Sequence, residues 1–223
     1  MFNLANIENI WFCGIPGSRL SAVSNNMVNN IEGISGADRS GDRSFKHHTP
    51  QGTKAEDGSG DHDGIYWGQT NMTTHWEVMK DEHPDFFRRD MEDLYPIEKE
   101  TRLMKSHIWA RHNNLDYIWQ NFPGDLIFLV YRNVEESFRW WHNVMKFEDG
   151  YYPDYRLIYN ENEFKEQLYR ENAEMQDFVI RKGAKWQPYT DKNMNLYFNT
   201  SHKINLWKQS LSFSVIECGK VYE

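Results

Sequence analysis

Leu126-Ile127-Phe128-Leu129-Val130-Tyr131 is an unbroken apolar run, and its reading sets the fold class. A continuous run of this kind belongs to a strand buried on both faces, as strands are inside a parallel sheet. Just before it, a helical pattern over 115–121 stops at Pro123-Gly124. Just after it, residues 135–147 have amphipathic spacing, with Phe138, Trp141 and Met145 three or four apart. Further upstream, 101–107 reads as a short strand. At the head of the chain, 7–14 reads as a strand, 14–21 as a tight loop, and the stretch holding Ala22, Val23, Met27, Val28 and Ile31 as a helix. Two short helical patterns at 72–80 and 84–94, a longer one over 161–181 and a closing strand Phe213-Ser214-Val215-Ile216 complete the series. Strands alternating with helices predict an α/β fold on a central parallel sheet, built as one domain over 1–223.

The chain has 223 residues, with 25 Lys and Arg against 33 Asp and Glu, a formal charge of −8 and a pI near 5.6. That balance argues against nucleic-acid binding driven by net charge. Mean hydropathy is −0.82, yet 39% of residues are hydrophobic and nine are Trp, enough to build a core. No stretch approaches the roughly 18 apolar residues of a membrane span. The opening Met1-Phe2-Asn3-Leu4 lacks the basic and apolar regions of a secretory signal, so a cytoplasmic protein is expected. Cys13 and Cys218 are expected as reduced, buried thiols. Residues 33–64 differ in character: they hold seven of the 14 glycines, five Asp and four Ser, with Ile34 and Phe45 as the large apolar groups. Such a composition buries too little surface to order itself, which predicts a mobile loop or lid. Lys46, His47, His48 and His62 within it show no metal-ligand spacing, and no metal is expected.

Ligands of open parallel sheets bind beyond the carboxyl ends of the strands, so polar groups directly after strands are the candidates for chemistry. The first group is the loop Gly14-Ile15-Pro16-Gly17-Ser18-Arg19-Leu20-Ser21. Its glycines allow a tight turn that aims N–H groups at one point, and the following helix adds its positive dipole end, which suits phosphate or sulfate. It lacks the Gly-Lys-Ser/Thr of a Walker A loop. The second is Lys105-Ser106-His107, where an imidazole could take a proton from a hydroxyl beside an ammonium that holds an anion. The third is Arg132, followed by Asn133 and a helix carrying Ser137, a placement suited to bidentate phosphate contact. Taken singly, each also has a bland reading as a plain turn, a partly buried histidine or a salt-bridging arginine.

In this order, the three groups resemble the sulfotransferases that use 3′-phosphoadenosine 5′-phosphosulfate (PAPS). In that family a Gly-x-Pro-x-Ser-Gly-Thr type loop holds the 5′-phosphosulfate, and here Pro16, Gly17, Ser18, Arg19, Leu20 and Ser21 occupy those places. A Lys-Thr/Ser-His strand end supplies the base, similar to Lys105-Ser106-His107. A strand ending in Arg-Asn/Asp binds the 3′-phosphate, similar to Arg132-Asn133, and a second clamp Arg-Lys-Gly is similar to Arg181-Lys182-Gly183. The resemblance implies a three-layer α/β sandwich with a P-loop-like strand-loop-helix at its N-terminus and sulfuryl transfer from PAPS. The acceptor would be a hydroxyl or amine on a sugar or small molecule. It further implies His107, Lys105 and Arg19 as catalytic groups, with Arg132 and Ser137 on the donor.

The chain departs from the family pattern in places. The loop cation that usually follows Pro is Gly17 here, and the charge appears as Arg19. If Arg19 points into the loop it could neutralise the donor's bridging oxygen; if it faces a helix that role is empty. The helix Ser usual eight residues after the Arg is Trp140, with Ser137 as a substitute one turn earlier. Arg181-Lys182-Gly183 lacks the family's continuation and reads equally as a basic helix end stopped by Gly. Aromatic residues between Tyr66 and Trp76, at Trp109 and at Tyr151-Tyr152 could stack on an acceptor or belong to the core. Two rival functions stand beside this one: a nucleotide-dependent kinase or phosphotransferase of related fold, and a non-catalytic binding module with a degenerate donor site.

Overall fold

The computed structural model describes residues 1–35, 65–66, 85, 89, 101–145, 160–198 and 211–222. The expected lid over 33–64 is described at 33–35 alone, where Ile34 and Ser35 form a strand instead; the rest of it, the helices at 72–80 and 84–94 apart from Asp85 and Arg89, and Trp76, Tyr151 and Tyr152 lie outside the described residues. Strand β1 (Asn9–Gly14) leads into helix α1 (Leu20–Asn30) and the short strand β2 (Ile34–Ser35). Next come β3 (Ile65–Tyr66), β4 (Thr101–Lys105), a 3₁₀ turn Ile108–Ala110 and α2 (Asn114–Asn121). Then follow β5 (Leu126–Tyr131), α3 (Val134–Met145), α4 (Glu161–Arg181), β6 (Gln187–Pro188), α5 (Asp191–Tyr197) and β7 (Ser212–Glu217).

The sheet has the order β2-β4-β1-β5-β7-β6, with β3 also pairing β4. The expectation of a parallel sheet holds at its centre, where β4, β1 and β5 run together, with Phe12 opposite Lys105 on one side and Phe128 on the other. Beyond β5 the sheet becomes mixed, because β7 runs antiparallel, Leu126 opposite Glu217 and Tyr131 opposite Ser212. Burial explains why β5 and β1 beyond Asn9 are apolar: each has a hydrophobic cluster on both faces. Trp11, Met104, Ile127 and Leu129 face residues of α2 and α4, while Phe12, Leu103, Phe128 and Phe213 face residues of α1 and α5. Phe12, Phe128 and Phe213 stack in a row at centroid spacings of 5.1 and 5.3 Å. Trp109 belongs to the other cluster, wedged edge-on against Trp11 at 5.2 Å with its Nε1 donating to the Met104 carbonyl; it is core, not an acceptor platform. Cys13 and Cys218 are buried free thiols.

Helix ends follow the sequence closely. Asn160 and Glu163 form a reciprocal capping box at the start of α4, each donating its backbone N–H to the other's side chain. Asn133 opens α3 in a related way, its Oδ1 accepting from the N–H groups of Glu135 and Glu136.

Candidate functional site

The neighbours β1 and β5 are parallel, but the helices that follow them pack on opposite faces: Leu20 and Val23 of α1 in one cluster, Val134 of α3 in the other. Chain leaving the two strands therefore diverges at their carboxyl ends, the place where ligands of open parallel sheets bind. Gly14 ends β1 there. A Cβ on it would lie 2.6 Å from Ser18 Oγ and 3.0 Å from the Val130 carbonyl, so only glycine lets the loop fold back over the strand. Ser18 N–H closes that turn on the Ile15 carbonyl at 3.0 Å. Pro16, Gly17 and Ser18 are buried, Arg19 sits in the left-handed region at φ 68°, and α1 starts at Leu20 and Ser21 with no side chain capping its first N–H groups.

Across the loop lie Arg132 and Ser137. Arg132 is 7% exposed and its Nη1 donates to the Gly17 carbonyl at 2.9 Å, tying the end of β5 to the turn after β1. Its Nε lies 3.5 Å from the Glu136 carboxylate and makes no hydrogen bond. The backbone of Ser137 presses on Gly17, and the buried hydroxyls of Ser137 and Ser18 have no hydrogen-bond partner. Arg19 turns toward α3, its guanidinium 4.9 Å over the Trp140 ring. Burial and the neighbouring Arg132 charge both push its pKa down.

On the other flank of β1, Lys105 ends β4 and His107 follows it. Lys105 is fully buried, with Nζ 3.5 Å from Ser24 Oγ of α1. Ser106 fixes the exit from the strand, its N–H donating to the Phe12 carbonyl and its Oγ accepting from Ile108 N–H. His107 Nδ1 meets the Gly14 carbonyl. A carbonyl only accepts, so Nδ1 carries the proton and Nε2 keeps its lone pair. Burial lowers the His107 pKa to about 4 against the opposing hydrogen bond to Gly14, with the Arg111 and Lys105 charges adding to the fall. The imidazole is thus neutral through the physiological range.

The structure brings Pro16 to Ser21, His107, Arg132 and Ser137 to one end of the sheet, with Lys105 beneath them. It places Arg181-Lys182-Gly183 elsewhere. Tyr222 N–H donates to the Lys182 carbonyl, and β7 just before it ends opposite Leu126, at the amino end of β5. Arg181 grips Asp116 bidentately at 2.9 and 2.7 Å, Lys182 holds the same carboxylate and lies 3.7 Å over Trp119, and Gly183 takes φ 69° after the helix. This is the helix-end arrangement that its composition also allowed.

Sequence reading missed Arg111, Glu171 and Asn172, which stand behind the site. The signal was present: Phe164, Leu168, Glu171, Met175 and Phe178 share one helical stripe, and a carboxylate interrupts it. Among the described residues, no cluster of His, Cys, Asp or Glu is placed to hold a metal ion, and no helix is long and apolar enough to cross a membrane.

The site's polar groups include two buried, unpartnered hydroxyls, the buried Arg132 guanidinium, whose Nε has only the Glu136 carboxylate 3.5 Å away, and the half-buried Arg19 guanidinium beside it. That chemistry suits a phosphate- or sulfate-bearing ligand. Comparison with protein-family models, with curated proteins and with solved structures finds no match to this chain.

Proposed function

We propose that this chain is a PAPS-dependent sulfotransferase acting on a hydroxyl or amine of a sugar or small molecule, on a three-layer sandwich whose first loop is P-loop-like. The observation that carries the reading is the bond from Arg132 to the Gly17 carbonyl with the unpartnered Ser18 and Ser137 hydroxyls beside it. It joins the two motifs that the resemblance assigns to opposite ends of one bisphosphate nucleotide.

PAPS would supply the activated sulfuryl group. Loop N–H groups from Gly17 to Ser21 and the Ser18 hydroxyl would bind its 5′ end, while Arg132 and Ser137 would hold the 3′-phosphate. Lys105 would neutralise charge at the leaving oxygen. His107 Nε2 takes the proton of the acceptor hydroxyl, and the Gly14 carbonyl fixes the tautomer that leaves this nitrogen available. Protein of cytoplasmic origin without a metal requirement is the setting this mechanism implies.

Arg19 stacks on Trp140, as the departure from the family pattern allowed, and this favours one second reading: a module that binds the nucleotide without turning it over. Adenosine 3′,5′-bisphosphate should raise the melting temperature of the protein, and ATP with Mg²⁺ should not. Arg132→Ala should weaken bisphosphate binding by roughly 10-fold to 100-fold, the loss of a charged hydrogen-bonded contact. His107→Ala should abolish sulfuryl transfer and leave bisphosphate affinity within about twofold. Full activity in His107→Ala overturns the assignment of the base, and absence of bisphosphate binding overturns the donor.

A further inference from the structure

One group of buried polar side chains is left unused by that mechanism. Glu171 and Asn172 of α4 are 1% and 3% exposed in the midst of its apolar face. Glu171 Oε1 receives Arg111 Nε at 2.5 Å and Gln167 Nε2 at 3.0 Å. Arg111 closes the turn that begins at His107, its N–H donating to the Ile108 carbonyl at 3.0 Å. Asn172 Nδ2 donates to the backbone carbonyl of Arg132 at 3.2 Å. Adjacent residues of one helix therefore hold the two strand ends that carry the base and the anion-binding guanidinium.

Stability alone does not account for this arrangement. A buried ion pair loses much of its attraction to desolvation, and apolar side chains of similar volume commonly serve as well. The cluster is also incompletely satisfied, since Glu171 Oε2 and Asn172 Oδ1 accept no hydrogen bond.

We propose that Glu171, acting through Arg111, and Asn172, acting through the Arg132 backbone, are positioning residues that fix the His107 imidazole relative to the Arg132 guanidinium. The inference rests on the sulfotransferase reading for its catalytic meaning. In-line transfer needs base and donor site held in register, and displacements near 1 Å can cost about 100-fold in rate.

The test is the double variant Arg111→Met/Glu171→Met, which removes both charges and keeps volume. Its melting temperature should equal or exceed that of the parent. Its kcat should fall roughly 10-fold to 100-fold while adenosine 3′,5′-bisphosphate affinity is retained. Asn172→Leu should do the converse, weakening bisphosphate binding about tenfold with a smaller change in kcat. The imidazole NMR signal of His107 reads the brace without catalysis, and it should shift or split both in the double variant and in Glu171→Gln, which keeps the Arg111 charge that bears directly on the ring. An unchanged His107 signal overturns the proposal whatever the rate. A shifted signal in a chain that neither binds the bisphosphate nor transfers a sulfuryl group upholds the brace and rejects the sulfotransferase reading. Should the double variant not fold, Glu171→Gln carries the same readout.

Discussion

At the scale of single residues, Gly17 and Gly124 make a controlled comparison. Both have positive φ, 78° and 94°, but a Cβ on Gly17 would lie 2.1 Å from the Ser137 carbonyl, whereas Gly124 has nothing within 4 Å. Gly124→Ala should cost about 1 kcal/mol, the left-handed penalty alone. Gly17→Ala adds overpacking against backbone and should cost roughly 3 kcal/mol or more, with loss of bisphosphate binding. Urea unfolding midpoints of the two variants check the difference. A Gly-Ile-Pro-Gly turn was legible in the sequence, but its dependence on a helix more than a hundred residues later was not. Nor was the direction of Arg19, since the position of the Trp140 ring follows from how α3 docks and not from local spacing.

At the scale of elements, the caps separate stability from binding. Asn133 and Asn160 each accept from backbone N–H groups at a helix start, but only Asn133 adjoins Arg132. Asn133→Ala and Asn160→Ala should each lose about 1 kcal/mol by chemical denaturation, and only the first should weaken bisphosphate binding. Elements whose signal is local were readable: β5 from its apolar run and α4 from its helical pattern over 161–181. The sheet's mixed character was not, because β7 runs antiparallel yet is buried over Phe213-Ser214-Val215-Ile216, and its composition reports that burial rather than its direction. The partnership of Glu171 with Arg111 was half legible, as a charge on a buried stripe whose partner lies 60 residues away.

For the molecule as a whole, two buried titrating groups sit at opposite ends of the sheet and pull stability in opposite directions. Asp125 accepts from Asn9 N–H, Asn9 Nδ2 and Trp11 Nε1, and burial nonetheless raises its pKa to about 6. Its folded pKa is above the unfolded value, so the native state binds more protons between about 4 and 6 and stability falls as pH rises there. His107 has a folded pKa of about 4, below its unfolded value of 6.5, so the unfolded state binds more protons and stability rises with pH from about 4 to 6.5. The two slopes nearly offset. Relative to the parent, Asp125→Asn should therefore gain a positive slope of unfolding free energy with pH, and His107→Gln a negative one, each about 1 kcal/mol per pH unit. Denaturant titrations at pH 4.5 and 5.5 (roughly the middle of the shared window) read both signs. The contact between Gly17 and Ser137 has a mechanical consequence on the same scale. With no room for more than a hydrogen atom between them, the opening turn and helix α3 cannot slide past each other and act as one fixed jaw. Whatever gap admits a substrate must then open on the opposite jaw, around His107, whose ring is tied to β1 through the Gly14 carbonyl.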